Sequence, residues 1–157
     1  MARPPIDKQT TSDIVRQFGA RAEMLVQILQ AIVMRHGWIP EATIRQLADE
    51  MNLSRADVYG VVNYYHDFRT EAPGNHIVKI CQAEACQAMG SRDLTDHARR
   101  SLGTEMHGTA NDVTLEPAYC LGNCACAPAI MIDGRTHGRV SKQRLDELVA
   151  AIGDLHG

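Results

Sequence analysis

Five cysteines carry the chemistry this sequence offers. Four form two pairs, Cys81-x4-Cys86 and Cys120-x3-Cys124, with 33 residues between the pairs and Cys126 just beyond the second. Thiolates are soft donors, and four of them suit either a 2Fe–2S cluster, two per iron, or a tetrahedral structural zinc. Loops of this width can wrap a flat binuclear centre, pairing Cys81 with Cys86 and Cys120 with Cys124. Zinc loops more often use Cys-x2-Cys, so spacing favours iron–sulfur, and a zinc-stabilised interaction module stays open as the alternative. A dithiol oxidoreductase would want Cys-x-x-Cys and a Rieske centre two histidine ligands; neither pattern is present. A thiol oxidoreductase built on Cys124 and Cys126 would use a strained pair and leave three cysteines without a role.

The other polar residues offer less. The seven histidines (36, 66, 76, 97, 107, 137 and 156) share no metal-like spacing. There is no Gly-rich phosphate loop and no nucleophile elbow, so the chain shows no site for a substrate of its own and no catalytic residue. Inside the second cysteine loop, Gly122 lets the backbone approach closely and its amide could donate to a sulfur, or it simply supplies a turn that needs a left-handed residue; the two readings are compatible. Pro128 stiffens the exit from that loop.

Something must bring two distant pairs together, and the elements around them supply it. Ile77–Ile80 reads as a strand ending in Cys81, a helix follows to Leu102-Gly103, and Val113, Leu115, Pro117 and Tyr119 alternate as a strand ending in Cys120. A parallel β-α-β unit would place both strand ends, and both cysteine loops, at one edge of a sheet. Pro117 suits an edge or irregular position. Residues 129–132 and 139–140 flank Asp133-Gly134 and Gly138 as a predicted hairpin, and Ser141 caps a closing helix with Leu145, Leu148, Val149 and Ile152 on one face.

The half before the loop at Thr70–Asn75 reads as helices. Leu25, Ile28, Leu29, Ile32 and Val33 recur at helical spacing within Ser12–His36, with Gly37 as the stop. Pro40 precedes a second helix with Ile44, Leu47, Ala48 and Met51 on its apolar stripe. Ser54-Arg-Ala-Asp57 resembles a capping box that opens a third, through Val58, Val61, Val62 and Tyr65. These stripes read as core. The predicted organisation is a flexible N-terminal arm (1–11), a helical bundle (12–70) and a second domain (75–157).

Composition narrows the class. The chain has 157 residues, 45% apolar and 22% charged, with a net charge of −3, which describes a globular protein. Residues 1–74 carry 8 basic and 9 acidic side chains, and residues 75–157 carry 8 and 10, so no basic stripe exists to grip nucleic acid. The N-terminus lacks a hydrophobic signal core, and Met24–Met34 is too short to span a bilayer. A soluble, cytoplasmic location without membrane insertion is therefore expected, where reduced cysteines point to metal or redox chemistry rather than disulfides.

Val78-Lys-Ile-Cys81-Gln-Ala-Glu-Ala-Cys86-Gln-Ala-Met-Gly90-Ser91 and Tyr119-Cys120-Leu-Gly-Asn-Cys124-Ala-Cys126-Ala-Pro128 resemble the two cluster segments of the thioredoxin-like 2Fe–2S ferredoxins. His36-Gly-Trp-Ile-Pro40, Leu53–Gly60 and Tyr64-Tyr-His-Asp-Phe-Arg69 resemble the helical half of the small flavin-adjacent subunit in NADH-linked complexes. The likeness covers about residues 20–152. It implies an α+β or α/β chain, an N-terminal helical bundle followed by a thioredoxin-like (β-α-β, β-β-α) domain. That domain would hold one 2Fe–2S cluster on Cys81, Cys86, Cys120 and Cys124.

The resemblance also implies an electron-transfer role without independent catalysis. FMN and NAD would sit on a partner subunit, and the molybdenum cofactor on a larger iron–sulfur subunit. Residues 65–69 and Cys124-Ala-Cys126 look most like the gamma subunit of soluble NAD-dependent molybdenum formate dehydrogenase. The equivalent subunits of complex I and of NAD-linked hydrogenase are the alternatives. Cys126 falls outside the four-ligand pattern.

Overall fold

The computed structural model describes residues 6–153 and divides the chain into two compact units, 1–72 and 73–157. The first contains four helices, α1 (Lys8–Gln17), α2 (Leu25–His36), α3 (Glu41–Met51) and α4 (Arg55–Tyr64), with a 3-10 turn at Ala22–Met24. The helical stretch predicted over 12–36 is thus broken. Gly19 and Ala20 take φ of 75° and 52°, end α1, and let a second helix begin at Leu25. α1 itself starts before Ser12, because the Asp7 carboxylate accepts the Thr10 N–H at 2.7 Å and caps it. Of the arm predicted over 1–11, Lys8–Thr11 are therefore helical, while residues 1–5 lie outside the described part.

The other boundaries follow their local signals. Gly37, at φ 87°, closes α2, and α3 opens directly after Pro40. Ser54 and Asp57 form both reciprocal bonds of the capping box at α4. Ile28, Leu29, Ile32, Leu47 and Val58 are fully buried, and Val33 and Val61 pack partly buried against them, so the stripes read from the sequence become core except at Tyr65, which lies past the end of α4 and is exposed.

The second unit runs β1 (His76–Cys81), α5 (Glu84–Ala88), α6 (Ser91–Leu102), β2 (Thr109–Ala110), β3 (Val113–Ala118), β4 (Ile130–Ile132), β5 (Arg135–His137) and α7 (Lys142–Gly153). Its sheet has the order β2-β3-β1-β4-β5. β1 and β3 pair in parallel, from His76 opposite Val113 to Cys81 opposite Ala118. β4 and β5 complete the sheet antiparallel to β1 and to each other. Val78, Ile80, Leu115, Ile130 and Leu145 are fully buried at its core.

Three features depart from the sequence reading. The crossover helix is two pieces, broken at Met89-Gly90, where Gly90 turns the chain at φ 90°. β2 has only two residues, too short to leave a periodic signal. In the hairpin, Asp133 and Gly134 take φ of 48° and 85°, both positive as a tight two-residue turn requires. The returning strand is therefore Arg135–His137, and Arg139-Val140 leave the sheet. Pro117 lies beyond the end of β2, on the open edge of β3, where its missing N–H breaks no ladder bond to β2.

Two polar anchors tie the start of this unit to the sheet. A Cβ on Gly74 would stand 2.2 Å from the Asp112 carbonyl oxygen, so only glycine fits there; its N–H donates to Thr114 Oγ1 at 2.8 Å. Asp133 accepts the Ile77 N–H at 2.8 Å and contacts His76 Nδ1 at 2.7 Å, fastening the hairpin turn to β1. Among the described residues no helix is long and apolar enough to cross a membrane.

Two substitutions in α4 should move stability in opposite directions. Ser54→Ala removes the cap and is expected to cost about 1 kcal/mol. Gly60→Ala, where a Cβ meets nothing within 4 Å, should gain roughly 0.5–1 kcal/mol. Urea unfolding of the two variants measures both signs.

Candidate metal centre

Because Cys81 stands opposite Ala118, the parallel strands end level and the loops that follow start side by side. Cys86 lies on α5, just past β1, and Cys120 is two residues past β3. The Sγ atoms of Cys120 and Cys124 are 3.8 Å apart. Two thiolates bound at about 2.3 Å to one tetrahedral metal stand that far apart, so this pair is already spaced for a shared ion. Cys81 and Cys86 are buried against Ala127 and Ala129, whereas Cys120 and Cys124 are exposed.

Two of the thiols have perturbed acidity. Burial pushes the Cys86 thiol above its usual range, and the neighbouring Cys81 and Cys124 raise it further. The Cys120 thiol beside Cys124 pushes that group up, with burial and Cys81 adding to the rise. Thiols crowded in this way ionise together when a metal cation binds between them. Among the described residues no three metal-ligating side chains are gathered closely enough to hold an ion; Cys120 and Cys124 stand at single-ion spacing, and a set of soft thiol donors suits a 2Fe–2S cluster.

The second loop is held by its backbone. The Gly122 N–H donates to Cys120 Sγ at 3.4 Å, the amide-to-sulfur bond anticipated for this glycine. Cys120 itself sits at φ 147°, a conformation that non-glycine residues rarely adopt. The N–H of Cys126 bonds the Asn123 carbonyl at 3.0 Å, its own carbonyl accepts the Arg139 N–H at 2.6 Å, and Val140 donates to the Pro128 carbonyl at 3.0 Å. The Ala127–Pro128 peptide is cis.

Residues 138–140 thus form a strap across the cysteine loop, and sequence reasoning missed it by assigning 139–140 to a strand. Its one visible signal is Gly138, a glycine away from the hairpin tip. A Cβ there would lie 2.6 Å from Cys126 Cβ and 2.7 Å from Asn123 Nδ2. Three of the histidines have settled places of their own. His36 is buried in the first unit, His76 faces Asp133, and His97 faces Asp146 at 2.8 Å. His156 lies outside the described residues.

Comparison with known proteins identifies the family. Residues 11–153 match the thioredoxin-like [2Fe-2S] ferredoxin family. The E subunit of NADH-quinone oxidoreductase from Pseudomonas aeruginosa is 31% identical over 128 residues, 80% of this chain and 77% of that protein. The corresponding protein of Escherichia coli is 29% identical over 126 residues, 79% of this chain and 76% of that protein. Among solved structures, the NAD+-reducing [NiFe]-hydrogenase in its air-oxidized state aligns with a TM-score of 0.66 at 21% identity. That alignment covers 85% of this chain but only 23% of the hydrogenase chain, and it supports the fold alone.

The chain belongs to the thioredoxin-like [2Fe-2S] ferredoxin family and carries one 2Fe–2S cluster. This membership sets aside the zinc module and the Cys124–Cys126 oxidoreductase.

Gly138→Ala forces a Cβ into Cys126 and Asn123 and should destabilise the protein by about 1–3 kcal/mol. Urea unfolding reads the loss, and iron bound per chain should fall with it.

Proposed function

We propose that Cys81 and Cys86 hold one iron of the cluster, Cys120 and Cys124 the other, and that the chain moves single electrons beside an FMN/NAD-binding subunit of an NADH-linked complex. The observation that carries this reading is the Cys120–Cys124 spacing of 3.8 Å in a loop that leaves the sheet beside the end of β1, where Cys81 stands. Bound there, the cluster supplies a one-electron store; four-thiolate centres of this kind have potentials on the order of −400 mV.

The residues around it have separate roles. Cys81 and Cys86, buried with Ala127 and Ala129, keep water from one side. Cys120 and Cys124, at the surface, give an electron a short path to a docked partner. The Gly122 amide stabilises negative charge on the Cys120 sulfur.

The choice of complex rests on two kinds of support. Similarity along most of the chain favours a complex I-type NADH-quinone oxidoreductase, and the fold is shared with an NAD+-reducing hydrogenase. The reading as a formate dehydrogenase gamma subunit, with a larger molybdenum- and iron–sulfur-containing subunit as second partner, rests only on residues 65–69 and Cys124-Ala-Cys126. The comparisons therefore favour the alternative over the formate dehydrogenase assignment.

Two experiments test this. Cys→Ser at 81, 86, 120 or 124 should each abolish or severely deplete bound iron and sulfide, while Cys126→Ser retains two of each; equal losses in all five variants would overturn the ligand set. The complex copurified with this chain, assayed for NADH-linked activity against quinone, hydrogen and formate, should respond to one of the three. Formate-dependent NAD reduction would restore the gamma-subunit assignment, and the absence of any flavin-binding partner would sink the docking proposal.

A further inference from the structure

The Gly90-Ser91 dipeptide belongs to the sequence motif of the first cysteine loop, yet nothing in the cluster chemistry so far uses it. Ser91 is fully buried, with 0% of its surface exposed. Its hydroxyl donates to the carbonyl oxygen of Cys81, the last residue of β1. That carbonyl lies where the parallel ladder ends: the Cys81 N–H is taken by the Ala129 carbonyl, and the next N–H, of Gln82, goes to Ala118. Cys81 is itself buried at 1% exposure, so the Ser91 hydroxyl satisfies an acceptor that is shielded from solvent.

Further bonds extend the link across both elements. Thr95 Oγ1 donates to the Ser91 carbonyl at 2.8 Å and accepts Gln82 Nε2 at 2.9 Å. Gln87 Nε2 donates to the Gln82 carbonyl at 2.6 Å, tying α5 to the same point. Cys86 sits on that short helix, and Met89 donates back to its carbonyl at 3.2 Å. Gly90, at φ 90°, then reverses the chain so that Ser91 opens α6 directly against the end of β1. The loop between Cys81 and Cys86 is thereby closed on itself.

We propose that Ser91 is a positioning residue for the cluster: by holding the Cys81 carbonyl, it fixes the Cys81–Cys86 pair in the geometry that binds iron. The inference rests on the ligand assignment proposed above. Removal of an outer partner of a metal ligand typically costs 10–100-fold in metal affinity. Ser91 touches no iron and acts only through the cysteine backbone.

The test uses the full chain with its cluster, comparing wild type, Ser91→Ala, Ser91→Thr and Leu94→Ala. Leu94, buried at 2% on the same helix, reports a core loss that leaves the Cys81 bond in place. Release of iron to a chelator should be about 10–100-fold faster in Ser91→Ala than in wild type. Its reduction potential and reduced EPR line should also shift, while Ser91→Thr, which keeps the hydroxyl, stays closer to wild type on all three. Leu94→Ala should lower the melting temperature without moving the potential or the EPR line.

The inference is overturned if Ser91→Ala keeps the wild-type release rate and EPR line, or if Leu94→Ala moves all three readouts equally. If Ser91→Ala does not fold, Ser91→Thr and Ser91→Val, alike in shape and different in the hydroxyl, make the comparison; equal release rates would overturn it. A wild-type chain that binds no 2Fe–2S cluster would instead defeat the ligand assignment itself.

Discussion

Parallel pairing of β1 with β3 is the constraint on which the thiol site depends. Had the two strands run antiparallel, Cys81 and Cys120 would have emerged at opposite ends of the sheet. A parallel pair needs a crossover, and α5 and α6 provide it between Cys81, the end of β1, and Val113, the start of β3. The register then sets the level: with Cys81 opposite Ala118, both loops leave the sheet at nearly the same height. A shift of one residue along this ladder would exchange the buried and outward faces of β1, where Val78 and Ile80 are fully buried, so the core and the site enforce the same register.

The two thiol pairs occupy different environments, and each is held by different means. Cys81 and Cys86 are buried, and the first loop is fastened by side chains, with Ser91, Thr95, Gln82 and Gln87 linking strand end to helix. Cys120 and Cys124 are exposed, and the second loop is fastened by backbone amides from Gly122, Arg139 and Val140. Side-chain anchoring suits the protected pair, where an unpaired acceptor would be costly. Backbone anchoring keeps the exposed pair narrow, with glycine at 122 and 138 where a larger residue would be strained or would collide.

In the helical unit, the segments that resemble its relatives are concerned with packing and capping. His36 and Ile39 are buried, Gly37 is the left-handed cap of α2, and Ser54 with Asp57 form the capping box. Phe68 is buried, and the Arg69 carbonyl accepts the Ile39 N–H at 2.8 Å. These residues specify the local structure of the bundle. The family match over residues 11–153 spans both units, although all five cysteines belong to the second.

From the sequence alone came the cysteines and their spacing, the parallel β-α-β order of the strands that precede them, and most helix ends. These rest on local rules: side-chain period, caps and glycine stops act over a few residues. Tertiary structure decided what depends on contacts distant in sequence. The break at Gly90, the strap at 138–140 and the Ser91 bond to Cys81 each answer to a neighbour that no periodicity reveals. The hairpin's returning strand moved because two positive-φ residues at Asp133-Gly134 fixed a tighter turn than composition implied. Which thiols are buried and which exposed was likewise settled only by packing, since all five cysteines are the same residue until the sheet and its loops surround them.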